Sequence, residues 1–327
     1  MNKIIIYFFT LIVTVSITGC KTNQKINIIF DTDANNEIDD QHALAYLFFN
    51  SDVFEIKGIT TNATINGGPI GEHFKEAKRI MKLCNWYEKV PLLLGADGNF
   101  DTIKKELMIP NFDGYKAVDF IINEASKYSS EKKLTILAVG KLTNIALAVK
   151  KNPSIIPKIR LVWLGSNYPD SGEYNLLNDI NSMNFLLYTD MEFEMVTVRY
   201  GKSSGTDYVR LTEKEVEKNI PPLGFKISEP VIGRHGGEFF SFGEYSKSLF
   251  DNTSFYGNPP SRSLFDMAAV AIIKNPSWAK STLINSPIMI DKKWVERPDK
   301  LKKIKIWEYF EKDLILADFY EVLTFQN

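Results

Sequence analysis

The sequence is poor in the residues that crosslink small exported proteins. Only two of its 327 residues are cysteine, so we expect no intramolecular disulfide framework, and the hydrophobic core must hold the fold together. The chain also lacks an excess of charge of either sign. Its 39 Lys and Arg residues stand against 40 Asp and Glu residues, which gives a formal net charge of −1. Without a basic surface, we expect no nucleic-acid partner.

The apolar run near the N-terminus is too short for a comfortable membrane span. Lys3 is followed by IIIYFFTLIVTVSI and then by the segment ITGC, which ends at Cys20. This order is typical of an export signal, and ITGC resembles a bacterial lipobox, in which the cysteine is lipidated. We therefore predict a lipoprotein signal peptide at 1–19 and a short tether at 20–25. An ordinary signal peptide that contains a cysteine is the alternative.

These features predict an exported protein that Cys20 anchors by lipid to the bacterial cell envelope, on its periplasmic or outer-surface face. The remaining cysteine, Cys84, lies in RIMKLCNWY on a predicted helix, where we expect a packed core thiol. Residues 26–327 contain no linker or low-complexity run. They have the length of a single large domain.

Strand-like and helix-like segments alternate along this domain. Short apolar segments rich in β-branched residues predict strands; they are INIIF, FEIKGITT, VPLLLG, KLTILAVG, RLVWLG and FEMVTVRY. Amphipathic segments between them predict helices; they are HALAYLFF, GEHFKEAKRIMKLC, YKAVDFIINEASKY, TNIALAVKK and NSMNFLLYTD. This alternation predicts the α/β class, with a mostly parallel, Rossmann-like central sheet flanked by helices. The tail from residue 284 predicts extra strands.

An acidic cluster lies where the first strand passes into the first helix. Asp31 and Asp33 end the strand, and Glu37, Asp39 and Asp40 follow within seven residues, with no Lys or Arg among them. Like charges at this spacing repel each other, and burying them without a counter-charge is costly. In α/β folds this edge of the sheet carries the ligand sites. The open question is which positive charge neutralises this acidic cluster.

Helix capping explains only part of the cluster, because Asp39 or Asp40 could bond the free N–H groups of the helix, but five acids are present. A calcium loop of the EF-hand type matches Asp31, Asp33 and Asn35 at its first, third and fifth positions. It fails at Asn36, where glycine is required, and at the final glutamate position. A catalytic hard-metal site would neutralise the acids and hold a water molecule for attack.

The Asp-x-Asp pair at a strand end also resembles the opening of haloacid-dehalogenase-type phosphatases, where the pair surrounds magnesium. Those enzymes usually carry Thr or Val at the position of Asn35, and no convincing later Gly-Asp pair completes their magnesium site. We keep such a phosphatase as the less favoured enzyme.

Several segments together resemble the inosine-uridine-preferring nucleoside hydrolases, from about Ile26 to Trp278. In chain order they are DTD with Asp39 and Asp40, GITTNATING, VGKLTNIALAV, LGSNYPDSGEYN and LFDMAAVAIIKNPSW. No single segment suffices, and the specificity lies in their combination. The resemblance implies a fold of that family and hydrolysis of the N-glycosidic bond of ribonucleosides to ribose and free base.

The resemblance also implies a calcium ion (Ca²⁺) and its ligands. Asp33 would bind the ion and act as the general base on the attacking water. Asp40 and Asp266 would be further ligands, and Thr143 would contribute its backbone carbonyl. Asp31 would support the loop. The resemblance assigns no role to Glu37.

The same resemblance implies a set of residues that hold the ribose. These are Asp39, Asn167, Glu173 and Asn175, with either Asn62 or Asn66 after the second strand. Carboxylates around the sugar suit the chemistry, because breaking the N-glycosidic bond develops oxocarbenium-like positive charge.

Two features depart from the family pattern. The ANNEI loop between Asp33 and Asp39 is two residues longer than usual, and Phe265 stands where many members carry the histidine linked to protonation of the leaving base. His235 or Arg234, in the Gly-rich segment IGRHGGEFF, is a candidate replacement. We expect His42 to lie behind the acids and His73 to be a surface residue remote from the site.

These departures keep a second function open. A non-catalytic nucleoside-binding or ribose-binding lipoprotein on the same fold would retain the sugar site without turnover. The general base Asp33 favours an enzyme, because a pure binder does not need one. Family members are often dimers or tetramers, so the resemblance allows a homodimer or homotetramer, with a small ribonucleoside as the substrate.

Overall fold

The computed structural model describes residues 24–36, 38–299 and 301–324. The predicted signal peptide, the lipidation site Cys20 and the acidic residue Glu37 lie outside the described residues. Among the described residues, no helix combines the length and apolar character that a membrane crossing requires.

The described strands and helices follow the predicted alternation. The strands are β1 (Ile26–Thr32), β2 (Phe54–Thr61), β3 (Leu92–Leu93), β4 (Leu134–Ala138), β5 (Ile159–Ser166), β6 (Glu192–Thr197), β7 (Arg210–Thr212), β8 (Val231–Ile232), β9 (Glu238–Phe239), β10 (Ser261–Ser263), β11 (Lys280–Asn285), β12 (Ile288–Ile290), β13 (Lys293–Val295) and β14 (Lys303–Glu308). The helices are α1 (Asp39–Phe49), α2 (Ile70–Leu83), α3 (Phe100–Ile103), α4 (Tyr115–Ser126), α5 (Thr143–Lys151), α6 (Tyr174–Asn178), α7 (Ile180–Leu187), α8 (Glu213–Asn219), α9 (Phe242–Asp251), α10 (Phe265–Lys274) and α11 (Lys312–Thr324).

Eight strands form the central sheet in the order β11-β14-β6-β5-β4-β1-β2-β3. All neighbours pair in parallel except the edge strand β11, which is antiparallel to β14. Three two-stranded sheets, β7 with β10, β8 with β9 and β12 with β13, lie outside this sheet. The predicted class, a mostly parallel central sheet flanked by helices, is therefore confirmed.

The interior strands β1, β4 and β5 are largely apolar because the sheet is covered on both faces there. In β1, Ile28 and Phe30 belong to one hydrophobic cluster, while Ile29 between them belongs to the other. In β5, Trp163 faces the second cluster and is completely buried. This alternation follows from the two-residue period of a strand. It places β1 at the centre of the molecule.

Helix α1 is the most deeply enclosed helix of the site region, since all of its residues are buried. It packs against α10, and both helices begin at the carboxyl edge of the sheet. The structure differs from the predicted pattern at two elements. VPLLLG contributes only the two-residue strand β3, and the C-terminal tail, predicted as extra strands, also contains helix α11.

Candidate active site

A cavity of about 280 Å³ opens at the carboxyl edge of the central sheet. Six of the predicted site residues line it, and they are Asp33, Asp39, Asp40, Glu173, Asn175 and Asp266. They come from the end of β1, the first turns of α1 and α10, and the segment after β5. The fold therefore brings together residues that are more than 200 positions apart in the sequence.

Three buried carboxylates form the tightest group in the cavity. Asp39, Asp40 and Asp266 each offer an oxygen atom that lies within 4.8 Å of the oxygens of the other two. Asp33 lines the same cavity, and its Oδ2 accepts a hydrogen bond from Thr64 Oγ1 at 2.5 Å. The resemblance assigned Asp39 to the ribose, but the structure places it among the acids that could hold an ion.

Burial raises the pKa of every acid in this group. The pKa of Asp33 rises to about 7 and that of Asp39 to about 7, with burial as the main cause and neighbouring acids as a further one. Burial and the other carboxylates also raise the pKa of Asp40 and of Asp266 well above the usual range. Charged acids at this density need a compensating positive charge.

Two helix N-termini supply part of that compensation. Asp39 and Asp40 occupy the first turn of α1, and Asp266 occupies the first turn of α10. The partial positive charge of a helix N-terminus stabilises an acid there by up to about 2 kcal/mol. Thr32 also donates its hydroxyl hydrogen to Asp40. These contributions are small beside the cost of burying several charged carboxylates.

Asp31 lies behind the cavity and connects β2, the segment after β2 and α5. It is completely buried, and its carboxylate accepts hydrogen bonds from Thr60 Oγ1 at 2.6 Å and from Asn62 Nδ2 and Asn144 Nδ2 at 2.7 Å each. Burial raises the pKa of Asp31 to about 6, although these donors oppose the rise. Its position fits the predicted supporting role.

The segment after β5 supplies the polar wall opposite the acids of α1. Glu173 is buried, caps helix α6 by accepting from Leu176 N at 2.7 Å, and has its pKa raised to about 7 by burial. Asn175 Nδ2 donates to Val139 O at 2.7 Å, so that its amide is fixed at the end of β4. Both side chains line the cavity.

An apolar and phenolic wall completes the cavity. Phe265 lies directly before Asp266, and its ring meets that of Tyr200 edge to face, with 5.9 Å between centroids. Burial raises the pKa of Tyr200, and the nearby acids Glu173 and Asp39 add to the rise. The Tyr200 hydroxyl therefore keeps its proton near neutral pH.

The long acid loop is anchored to helix α2. Gln41 Nε2 donates to Ala34 O at 2.8 Å and to Glu76 Oε1 at 3.0 Å. Asn35 N donates to His73 Nδ1 at 3.3 Å. His73 is completely buried, so the expectation that it is a remote surface residue is wrong. The longer loop therefore contacts His73 on helix α2.

His42 lies on α1 behind the acids, as expected. It is completely buried against the rings of Phe242, Phe250 and Phe319. Its ring nitrogens lie 2.6 Å from Ile38 O and 2.8 Å from Ser246 Oγ. Burial lowers the pKa of His42 to about 4, so this side chain is neutral at pH 7.

Thr143 does not line the cavity, contrary to the expectation that its carbonyl binds the ion. As the first residue of α5, it directs its carbonyl into the hydrogen-bond ladder of that helix, and its hydroxyl donates to Asp179 Oδ2 at 2.6 Å. The residue of this loop that lines the cavity is Val139, four positions earlier.

Three asparagines predicted to bind the ribose are placed elsewhere. The side chain of Asn62 donates to Asp31 and accepts from Lys141 N. Asn66 is exposed, and its backbone N–H donates to the hydroxyl of Tyr174. Asn167 bridges Ser171 O and Tyr200 N and so shapes the wall from behind. None of these three lines the cavity.

His235 is not placed to protonate a leaving base. It is exposed in the β8–β9 hairpin, and its Nε2 lies 3.1 Å from Arg234 Nε. Arg234 reaches the acid loop instead, with its Nη1 3.3 Å from Asn35 O, and its charge opposes the rise in the pKa of Asp40.

The sequence interpretation missed several residues of the cavity wall. They are Asn36, Val139, Leu164, Tyr174, Val198, Tyr200, Asp207, Arg210, Tyr256, Arg262 and Ser263. Tyr200 follows the end of β6, a position that in principle identifies a ligand-facing residue of a parallel sheet. Arg210 and Arg262 gave no such signal, because their strands pair only with each other.

The donor set fits a hard divalent cation. All three members of the tight group are carboxylates, and their oxygens are the ligands that calcium and magnesium prefer. A dication at this position would supply the positive charge that the two helix N-termini and Arg234 supply only in part. The residues therefore fit the ion that the resemblance implies, without distinguishing calcium from magnesium.

Comparisons with known sequences agree with this geometry. The pyrimidine-specific ribonucleoside hydrolase RihB of Escherichia coli O17:K52:H18 (strain UMN026 / ExPEC) is 29% identical over 168 residues, which cover 50% of this chain and 49% of that protein. The probable uridine nucleosidase 1 of Oryza sativa subsp. japonica is 26% identical over 207 residues, which cover 54% of this chain and 60% of that protein. The chain thus spans about half the length of the curated relatives it matches.

Solved structures share the fold. The plant nucleoside hydrolase PpNRh1 superposes with a TM-score of 0.70 at 19% identity, over 92% of this chain and 99% of that chain. The purine-preferring ribonucleoside hydrolase from Gardnerella vaginalis gives a TM-score of 0.63 at 20% identity, over 92% and 98%. A family model described as inosine-uridine preferring nucleoside hydrolase matches residues 28–304. The chain therefore belongs to the inosine-uridine preferring nucleoside hydrolase family.

Proposed function

We propose that this chain hydrolyses the N-glycosidic bond of ribonucleosides, with a calcium ion held by the acidic cluster. The observation that carries the proposal is the convergence of Asp39, Asp40 and Asp266, all buried, with Asp33 in the same cavity. Family membership supplies the reaction class, and the donor set supports the ion. A small ribonucleoside is the proposed substrate.

Asp40 and Asp266 would hold the calcium ion, with Asp39 and Asp33 beside them. When bound, the ion supplies the positive charge that lets these acids remain ionised, and it orients the oxygens of water and sugar. Asp39 then has two candidate partners, the ion and a ribose hydroxyl. The remaining steps depend on side chains of the chain itself.

Asp33 is the proposed general base. Its carboxylate lines the cavity beside the proposed ion site and would accept the proton of the attacking water. Thr64 donates to Asp33 Oδ2 and fixes the orientation of the carboxylate. The water oxygen bonds to the anomeric carbon as the bond to the base nitrogen breaks.

Glu173, Asn175 and Asp39 are the proposed ribose-binding residues. Their side chains line one cavity and present carboxylate and amide groups to the sugar hydroxyls. Negative charge on Glu173 and Asp39 also stabilises the oxocarbenium-like charge that develops on the ribose. Protonation of these two acids would remove this negative charge, so we expect activity to fall on acidification.

The departing base needs a group other than Phe265, which offers no proton. Tyr200 lies against Phe265, and its hydroxyl is protonated near neutral pH because burial and adjacent acids raise its pKa. We assign Tyr200 as a hydrogen-bond donor at the cavity wall. Export, lipid anchoring at Cys20 and a homodimer or homotetramer remain part of the proposal, derived from the sequence and the resemblance.

A nucleoside-binding lipoprotein is the competing function. In its favour, no histidine lines the cavity among the described residues: His235 lies outside it, and Phe265 stands where many family members carry a histidine. Such a protein would bind ribonucleosides with calcium but release no ribose. Retention of Asp33 with a fixed orientation favours the enzyme.

The deciding experiment measures ribose release by the full chain. Uridine, inosine and p-nitrophenyl riboside are incubated with calcium and, separately, after chelation. We expect calcium-dependent turnover, and Asp33→Asn should lower kcat by about a hundredfold to ten-thousandfold, the usual contribution of a general base. The matched control, Asp52→Asn, changes an exposed aspartate outside the cavity.

Two results would contradict the hydrolase proposal. Equal turnover before and after chelation would remove the role of the ion. Calcium-dependent binding of nucleosides without any ribose release would favour the binding protein. Cleavage of p-nitrophenyl riboside alone would support hydrolysis and would show that Tyr200 does not assist departure of a nucleobase.

A further inference from the structure

The antiparallel strands β7 and β10 add two arginines to a cavity that is otherwise rich in acids. β7 and β10 are antiparallel, with Arg210 paired with Ser263 and Arg262 paired with Leu211, so the two arginines lie on neighbouring strands one register position apart. Both arginines line the cavity. The acids of α1 and α10 need a divalent cation, but they do not explain why two guanidinium groups lie in the same wall.

The carboxylate next to Arg210 is already occupied by other donors. Asp207 Oδ2 accepts from Gly201 N at 2.7 Å, and Asp207 Oδ1 accepts from Ser263 Oγ at 2.6 Å. The nearest guanidinium nitrogen of Arg210 remains 3.8 Å from Asp207 Oδ1, which is an ion-pair distance but not a hydrogen bond. The pair therefore does not use the donors of Arg210.

Arg210 Nε is buried and has no hydrogen-bond partner among the described residues. A buried donor without an acceptor is unfavourable, so such groups in native structures usually have a missing water or ligand as their partner. Because Arg210 also lines the cavity, an acceptor on a bound molecule would satisfy it. This observation points to a ligand group rather than to a role in folding alone.

Arg262 is held in place by an aromatic ring. Its guanidinium carbon lies 5.7 Å from the centroid of Tyr256, and Tyr256 lines the cavity as well. Such stacking fixes the plane of the guanidinium group beside the cavity. Burial lowers the pKa of Arg262, but an arginine remains charged at neutral pH.

The arginines are local positive charges in a cavity whose lining is otherwise acidic. Six carboxylates line it, and they are Asp33, Asp39, Asp40, Glu173, Asp207 and Asp266. A neutral ribonucleoside needs no cation beyond the proposed calcium. An anionic substrate, by contrast, would be repelled by these acids unless guanidinium groups received its charge. The planar guanidinium group matches both carboxylate and phosphate oxygens.

We propose that Arg210 and Arg262 bind an anionic group of the substrate, so that the chain acts on N-ribosides that carry negative charge outside the ribose ring. This inference rests on the proposed function, because it names the substrate class of the same cavity. The charge has two chemical sources, a carboxylate on the base or a phosphate on the 5′ oxygen. Both present oxygens to the arginines.

Two matched substrate pairs distinguish these sources. Uridine and orotidine differ only by a carboxylate on the base, and uridine and uridine 5′-monophosphate differ only by the phosphate. The full chain with calcium should show a kcat/KM for one anionic member about tenfold to a hundredfold above that for uridine, the range expected for a charged hydrogen bond. The member that is preferred identifies the source.

Substitutions then test the arginines themselves. Arg210→Gln and Arg262→Gln should each reduce the preference for the anionic member toward unity, and Arg210→Lys should retain part of it because the charge remains. Lys293→Gln removes a positive charge from an exposed residue outside the cavity and serves as the control. Thermal melting of each variant reports whether it is folded.

A uridine rate equal to both anionic rates in the unmodified chain would overturn the inference. So would a preference that Arg210→Gln and Arg262→Gln leave unchanged. If no riboside is cleaved, the proposed function fails independently. The ratio of dissociation constants for the same pairs, measured by calorimetry with calcium, then decides the arginine assignment by the same criterion.

Discussion

At the residue scale, one acid at the end of β1 supports the cavity without lining it. Asp31 is completely buried and joins β2, the segment after it and α5 through Thr60, Asn62 and Asn144. If the carboxylate is removed, its three buried hydrogen-bond donors lose this acceptor. The positions of Asn62 and Asn144 in turn fix the two loops that border the cavity.

We expect Asp31→Ala to lower the free energy of unfolding by about 3 kcal/mol or more, because it leaves three buried donors without an acceptor. Asp52→Ala, at an exposed position, should change it by less than about 0.5 kcal/mol. Urea denaturation of both variants measures the difference. Equal effects of the two substitutions would show that Asp31 has no supporting role.

His42 predicts a separate dependence of stability on pH. Its pKa is lowered to about 4 in the folded chain, against 6.5 when unfolded, so the unfolded state binds the extra proton first. The stability that neutral His42 contributes is therefore complete above pH 6.5 and is lost as the pH falls toward 4. Between pH 7 and pH 5 the loss amounts to about 2 kcal/mol.

The measurement compares the unmodified chain with His42→Gln by urea denaturation at both pH values, in chelator. The unmodified chain should lose about 2 kcal/mol more than the variant on acidification, because glutamine does not titrate. Since the carboxylates are common to both proteins, their contribution cancels in the difference. Parallel pH profiles would mean that His42 is protonated in the folded state.

At the element scale, the longer acid loop depends on helix α2. Glu76 is completely buried and accepts hydrogen bonds from Gln41 at 3.0 Å, from Tyr245 at 2.7 Å and from Arg79 at 2.8 Å. Through Gln41, which also donates to Ala34 O, this glutamate connects the acid loop to α2 and α9. The added loop residues are therefore part of a fixed structure.

Glu76→Ala should lower the free energy of unfolding by about 3 kcal/mol, because it removes the ion pair with the partly buried Arg79 and an acceptor of Gln41 and Tyr245. It should also reduce the rise in melting temperature that calcium causes, since the acid loop loses its anchor. Glu72→Ala, on the same helix but partly exposed and paired only with the exposed Lys75, should change stability by less than about 0.5 kcal/mol. Scanning calorimetry with and without calcium measures both effects.

The elements were largely predictable because each leaves a periodic pattern in the sequence. The apolar runs of β1, β2, β4, β5 and β6 predict buried parallel strands, and the Asp-x-Asp ending of β1 predicts a ligand site at their carboxyl edge. Helix α11 was missed, although LILADFYEVL has helical spacing, because the strand-like segments before it dominated the interpretation of the tail. Asp33, Asp39 and Asp40 were predictable because they cluster where β1 passes into α1.

The rest of the site was not predictable, since it depends on distant pairings. Thr143 and Val139 lie in one loop, and only the start of α5 decides which of them lines the cavity. Arg210 becomes a site residue only when β7 pairs with β10, about 50 positions further along the chain. His73 is buried only because the longer acid loop reaches it.

At the scale of the whole molecule, the cavity collects more negative charge than the chain compensates by itself. Acids with raised pKa values bind protons more readily in the folded than in the unfolded state. Without a cation, this contribution to stability therefore falls as the pH rises through about 7. A bound dication would replace those protons, so calcium and protons compete for the same oxygens.

This competition predicts how calcium changes stability with pH. At pH 7.5 and a calcium concentration about 100 times Kd, binding should add about 2.7 kcal/mol, or about 5 °C in Tm for a chain of this size. At pH 5.5 the rise should be less than half as large, because the carboxylates are protonated. Asp266→Asn should nearly abolish it, whereas Asp52→Asn should not. A calcium effect that is equal at both pH values would place the ion away from the buried acids, and an equal response to magnesium would leave calcium without a special role in this fold.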